Sequence, residues 1–259
     1  MKTAYDCEAL DLRAGTEPPA KAPNQRWDTF QQINRQRRAV RDFDGSQIPD
    51  EEVEAVLREA LLAPSSGNSQ PYVIHWVRNT AMKDAVASAC RNQRAARSAS
   101  TLLVIVSASR FALETASLFR AYVETTHELS QKSRDYHLRE LRIARKFLNI
   151  AGSVIWSPFH ALLTTVFPSL TLLPVGPGAV RNWAARSALF AAQTILLAAS
   201  ARGLDSCPME GFDARRIARI LNLKRGDIIP IVVALGRRPS DALVEPRWRR
   251  PFEVAVQAH

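Results

Sequence analysis

The chain has 259 residues, enough to bury a full core, and its 46% hydrophobic and 23% charged residues exclude disorder as the overall state. Its formal net charge of +10, mostly arginine, favours anionic partners such as a phosphorylated small molecule or acidic lipid; no Lys/Arg run with interleaved aromatics marks a nucleic-acid stripe. Three widely spaced cysteines (Cys7, Cys90, Cys207) and five scattered histidines exclude a disulfide framework and a zinc motif, and no metal site is expected. With no apolar leader near Met1, the chain reads as cytoplasmic.

Residues 1–26 lack periodicity and read as a flexible arm. Trp27, Phe30 and Ile33 share one face of a helix expected over Trp27–Arg37. In an extended Arg37-Arg38-Ala39-Val40-Arg41-Asp42-Phe43, Arg37 and Arg41 project to the same side. Two guanidinium forks on one point suit a phosphate dianion, although a solvated basic strand has the same spacing. Pro49, Asp50, Glu51 and Glu52 start a helix with an apolar stripe of Val53, Val56, Leu57, Ala60 and Leu61. It runs into a turn-rich segment, Pro64-Ser65-Ser66-Gly67-Asn68-Ser69-Gln70-Pro71, and Tyr72–Val77 follows as a strand. A helix is expected over Asp84–Arg97, with Asn92 near its end, before a buried strand over Thr101–Ala108.

Glu114–Phe147 predicts a charged helix, and Asn149–Val180 then carries no charge at all. That stretch is long enough to cross a bilayer, but Pro158, Pro168 and Pro174 count against a span. A lid or dimer-packing insert and attachment to an anionic membrane surface both stay open. Ala184–Arg202 is apolar nearly all round and predicts a central helix. Gly203 is placed to end it in the left-handed region, and Asp213 to N-cap an amphipathic helix over Asp213–Leu223. Between them lies a connector of Pro208, Met209, Glu210 and Gly211. Ile228–Leu235 is a buried strand in which Pro230 predicts an edge or a bulge. Arg247 and Arg249 fall on one side of an extended segment. Helices alternating with a few buried strands indicate an α/β or α+β domain; the glycine-rich dinucleotide fingerprint and the P-loop are absent.

Five of these stretches together resemble the nitroreductase family of FMN-dependent oxidoreductases. They are Arg37–Phe43, the Pro49 helix leading into Pro64–Pro71, the Asn92 region, Gly203–Asp213, and Arg247-x-Arg249. The resemblance covers residues 27–109 and 184–252 and implies an α+β fold. That fold has three layers, α/β/α, around a central mixed, mostly antiparallel sheet, and is formed by a single domain over 27–252. A largely helical apolar insert over 110–183 and a tail over 253–259 complete the chain.

The resemblance implies that Arg37, with Arg249 and Arg247, holds the FMN phosphate, that Arg38 and Ala39 belong to the same cofactor-binding stretch, that Arg41 reaches the ribityl chain or the pyrimidine edge, and that Asn92 bonds that edge. Pro64, Ser65, Ser66, Asn68 and Gln70 would come from the partner of a homodimer with shared flavin sites. Pro208, Met209, Glu210 and Gly211 would pack along the ring, with the Glu210 N–H at N5. Ala39 stands where the family often has Ser or Thr, and Ala95 where some members carry a lysine that Arg94 or Arg97 would replace. The implied activity is ping-pong hydride transfer from NADH or NADPH through FMN to an apolar organic acceptor, a nitroaromatic or quinone, without a catalytic side chain. No nucleic-acid partner is expected, and membrane contact would run through 149–180. Three alternatives remain: a flavin carrier or sensor, a specialised dehydrogenase or dehalogenase, and a protein acting through its basic face alone.

Overall fold

The structure, a computed structural model, describes residues 24–151, 153–167, 175–242 and 244–259. The chain divides into two compact units, Met1–Gln36 and Arg37–His259. The described part of the first is helix α1 (Asn24–Gln36), on which Trp27 and Phe30 stack with ring centroids 5.9 Å apart. It begins three residues ahead of the expected start; the rest of the expected arm and Cys7 lie outside the described residues.

Among the described residues, the second unit is organised by one sheet of four strands: β1 (Tyr72–Val77), β2 (Thr101–Ser107), β3 (Asp205–Met209) and β4 (Ile228–Gly236). Their order is β1-β2-β4-β3 and all neighbouring pairs are antiparallel. A single parallel bridge from Ala39 to Ser206 makes the β3 edge mixed. Alternation along the two central strands sends side chains to both faces. Leu103, Ile105, Val233 and Leu235 pack in one core with α2 (Asp50–Ala60) and α8 (Pro177–Ala201). Leu102, Val104, Val106, Val232 and Ala234 pack in a second core with α3 (Thr80–Ala89), α4 (Arg94–Ser98) and α9 (Ala214–Ile220). Every residue of β2 is buried, and each such Leu, Ile or Val side chain contributes about 1.5–3 kcal/mol of transfer free energy. The result is three layers, α/β/α.

Pro230 sits at a bulge, not an edge: the β2–β4 register slips between Ile105 and Ser107, opposite the two residues Ile229 and Pro230. The connector expected over Pro208–Gly211 begins as strand β3. Ser206 and Pro208 share one side of the strand, and Ser206 accepts the Val40 N–H on the outer edge at 3.0 Å. The N–H that Pro208 lacks is therefore also on the outer edge, where it costs no ladder bond.

Three helix expectations change. Asn92 is not helical: Arg91 and Asn92 adopt φ of 57° and 50°, and this left-handed turn separates α3 from α4. The helix expected over Glu114–Phe147 is two, α5 (Ser109–Thr125) and α6 (Gln131–Ala151), because the Ser130 hydroxyl accepts the Ser133 N–H and restarts the helix. Leu61 lies past the end of α2 and is exposed.

Helix α7 (Ser157–Val166) follows α6 through a short 3-10 turn, Val154–Trp156. Helix α8 meets the length and hydropathy of a membrane span, yet its Ala184, Ala188, Ala191, Ala192 and Ile195 are buried against the sheet. Its opposite face, with Leu189 and Phe190, is exposed, so the helix is covered on one side only. Its end is as expected: Gly203 has φ of 70°, its N–H bonds Ser200 O at 3.1 Å, and the Leu204 N–H bonds Ala199 O at 2.8 Å, a Schellman cap. The Asp213 side chain accepts the Arg216 N–H at 3.0 Å as the N-cap of α9.

Candidate flavin site

The parallel bridge at Ala39 lays Arg37–Arg41 alongside β3 in the same direction. Arg37 then lies toward the start of β3, and Arg41 toward its Pro208 end, about 13 Å further on for four extended residues. Two backbone bonds fix the segment: Val40 N–H to Ser206 O at 3.0 Å and Asp44 N–H to Arg237 O at 2.9 Å. A side-chain clamp fixes the strand beneath it, where Arg238 donates Nε to Asp205 Oδ1 at 2.9 Å and its backbone N–H to Oδ2 at 2.8 Å.

Against the Arg37 end lies the segment after β4. Arg247 donates to Arg37 O and Arg38 to Glu245 O, so each segment holds the other through its backbone. Together they enclose a cavity of about 650 Å³ into which Arg37, Arg38, Arg41, Arg94, Arg247 and Arg249 all contribute, along with Ala39. Arg94 is also paired with Asp42. Burial first, then the charges of Arg247, Arg249 and Arg38, hold the Arg37 guanidinium below its ordinary value. Arg247 is lowered by burial and by Arg249 and Arg38. Among the described residues Arg37 forms no ion pair. Asp42, Asp241 and Glu245 also line the cavity, but a half-buried Arg37 guanidinium beside Arg38, Arg247 and Arg249 and outside any ion pair favours a multiply charged anion, since each fork can donate bidentate bonds to phosphate.

At the other end, the turn after α3 meets the connector. Gln93 Nε2 donates to Gly211 O at 2.7 Å and the Asp213 N–H bonds Ala89 O at 2.8 Å. Asn92, next in sequence to Gln93, is exposed at that junction. Glu210 and Gly211 are exposed, whereas the Met209 side chain is buried in the core and has only its backbone to offer a ligand. Arg41 reaches this end electrostatically: burial raises the Cys207 thiol, and the charge of Arg41 is the opposing influence.

The residues expected from a partner stand apart from this cavity. Gly67, Asn68 and Gln70 have φ of 59°, 51° and 41°, a locally strained loop held by Gln70 N–H to Ser65 Oγ at 3.0 Å and Gln70 Nε2 to Asn68 Oδ1 at 3.1 Å. Pro64, Ser66 and Asn68 are exposed, and Ser66 lines a different cavity of about 670 Å³ with Trp183, Leu189 and Phe190 of the open face of α8.

Of the two candidates for the missing lysine, Arg94 lines the arginine cavity, while Ala95 itself is packed in the core. Sequence reasoning missed Gln93, the Asp205–Arg238 clamp and the grip of Arg247 on the Arg37 carbonyl. None carries a motif, and each depends on strands being adjacent in space.

The buried thiols are not reactive groups. Burial pushes Cys90 up to about 11 and raises Cys207. Peptide mapping after iodoacetamide treatment near neutral pH is expected to find both unmodified in the native protein and both modified in denaturant. An unfolded Cys90 ionises near 9 and the folded one near 11, so the unfolded state loses its proton first. Stability is therefore expected to fall as pH rises through that window, by thermal melts in a pH series.

The profile of the Nitroreductase family matches residues 35–237. The chain is 30% identical over 220 residues to the "NADH dehydrogenase" of Thermus thermophilus, covering 85% of this chain and 91% of that one. It is 28% identical over 230 residues to Protein DrgA of Synechocystis, covering 88% and 93%. Among solved structures, the FMN complex of a nitroreductase-type protein from Exiguobacterium sibiricum superposes with a TM-score of 0.68 at 20% identity, over 89% of this chain and 97% of that one. A nitroreductase family protein from Streptococcus pneumoniae gives 0.66 at 18% identity, over 89% and 100%.

Proposed function

The chain belongs to the nitroreductase family, and on that premise we propose that it is an FMN-dependent enzyme that oxidises NADH or NADPH and reduces an apolar organic acceptor, with each flavin site completed by a second copy of the chain. The observation that carries the reading is the crowded arginine cavity. Arg37, with Arg38, Arg247 and Arg249, binds the phosphate of FMN, whose negative charge relieves the repulsion that lowers Arg37. When bound there, FMN would supply the two-electron chemistry that links a nicotinamide donor to the acceptor.

The chain's own residues bind, orient and screen. The Arg37–Arg41 segment holds phosphate and ribityl chain along the β3 edge. Arg41 brings a cation to the connector end, where negative charge on the ring is favoured. Gln93 and Ala89 fix the connector by its backbone, so that Glu210 and Gly211 form a firm wall. No side chain is assigned as nucleophile or general base.

Ser66, Gly67 and Asn68 of the strained loop are exposed in their own protomer, which suits residues that complete a site on another. Trp183, Leu189 and Phe190 beside Ser66 give that side an apolar lining, which supports an apolar acceptor.

The purified protein is expected to be yellow, with an absorbance maximum near about 450 nm, as for an oxidised flavin. Anaerobic NADH or NADPH is expected to bleach it, and a quinone to restore the colour. A colourless protein that takes up no added FMN would overturn the reading. A yellow protein that neither nucleotide bleaches would make it a flavin carrier.

A further inference from the structure

Away from the arginine cavity, α5 and α6 form a hairpin with a groove of about 420 Å³ between them. The hairpin is pinned at its turn: Arg134 donates to Thr126 O at 2.7 Å and to Val123 O, closing the last carbonyls of α5. Along the groove, Leu138, Leu141, Arg142, Arg145 and Lys146 form one stripe of α6 at helical spacing. The α5 wall contributes Arg120, already paired with Glu124 at 2.7 Å. Arg142, Arg145 and Lys146 form no salt bridge among the described residues. No Asp or Glu occurs anywhere between Glu140 and Asp205.

Five residues along the chain from Asn149, the last residue lining the groove, the Val154–Trp156 turn and α7 expose apolar surface. Ile155 is 82% and Leu162 67% exposed, and Phe159, Leu162 and Val166 share one face. Isolated exposed apolar side chains need no explanation, but a run of them beside unpaired cations does.

We propose that the α5–α6 groove and α7 together form a docking site for an anionic phospholipid surface. The groove takes the headgroup phosphate between Arg142, Arg145 and Lys146 over the Leu138–Leu141 floor, and Ile155, Phe159 and Leu162 enter the interfacial layer. Charge decides between occupants. A second copy pairing isologously through this face would bring the cation-rich patch against the same patch, with no Asp or Glu between Glu140 and Asp205 to offset it. A nucleic acid would satisfy the cations and leave α7 without a partner. A bilayer with acidic headgroups satisfies both halves of the surface.

The site is independent of the flavin-site reading, and its test does not use turnover. Full-length protein, with and without FMN, is sedimented with vesicles of phosphatidylcholine alone or with roughly one-third phosphatidylglycerol. Binding is expected only to the acidic vesicles, falling steeply with salt. The R142Q/R145Q/K146Q variant is expected to partition about a hundredfold more weakly, about fivefold for each cation removed. I155D/L162D is expected to lose binding while keeping its elution volume and flavin content.

Any of four results would overturn the proposal. One is no binding to acidic vesicles at low salt. Another is unchanged binding by the triple variant. A third is displacement by inorganic phosphate beyond the effect of chloride at equal ionic strength, which would mean a soluble-anion site. The fourth is an I155D/L162D protein that turns monomeric and still binds vesicles, which would assign the face to a second copy.

Discussion

Replacing Arg37 and Arg249 together by methionine is expected to give a folded protein that purifies without colour. Each guanidinium lost removes charge-assisted hydrogen bonds of about 1.5–3 kcal/mol to phosphate, so the pair weakens FMN binding about 10²- to 10⁴-fold. Fluorescence titration of the apoprotein with FMN measures this directly. A second sign distinguishes a cofactor role from a structural one. Arg37 is held below its ordinary value by burial and by Arg247, Arg249 and Arg38. Its removal therefore relieves the apoprotein, whose melting temperature is expected to rise slightly while that of the FMN-loaded protein falls. If apo stability dropped and FMN affinity held, the cluster would be scaffolding.

The second large effect is expected at Gly236, the last residue of β4. A Cβ there would lie 2.4 Å from Cδ1, 2.6 Å from Cγ and 2.9 Å from Cβ of Phe43. Phe43 is buried, with 5% exposure, so neither its ring nor its stem can swing away. Gly236→Ala is therefore expected to cost about 3 kcal/mol as overpacking, a fall of roughly 5–10 °C in Tm. Phe43→Leu in the same chain is expected to recover part of the loss, so that the double variant is less damaged than the sum of the singles. The clash also reaches the site. Phe43 follows Arg41, and Asp44 is bonded to Arg237 just past Gly236. FMN affinity is expected to fall in Gly236→Ala and to recover in parallel with stability.

Much of the architecture was legible because its signals are local. TLLVIVS has no polar interruption, and it is the fully buried β2. Gly203 and Asp213 cap helices as their chemistry predicts. Pro230 announced its bulge. What stayed hidden depends on neighbours distant in sequence. Asp205–Met209 reads as a loop because it contains Asp and Pro, and becomes a strand because β4 pairs with one side of it. Asn92 reads as helical in an Ala-rich window, and leaves the helix because Gln93 is engaged by Gly211 and Asp213 by Ala89. For the site, the arginines carried their own signal through spacing and through the family resemblance. The cavity that joins Arg37 to Arg247 required the chain to return after β4, which no periodicity describes.

The bridge from Ala39 to Ser206 has a bearing on solubility. An edge strand with free N–H and C=O groups is a template for pairing with another chain. On β3 that edge is blunted twice, by Pro208, which offers no donor, and by the Arg37–Asp44 segment, which occupies the Ser206 carbonyl. The guard is the same piece of chain that carries the mutually repelling arginines. An anion bound among them therefore holds the guard down, and the cofactor-free chain is the form whose sheet edge is most readily uncovered.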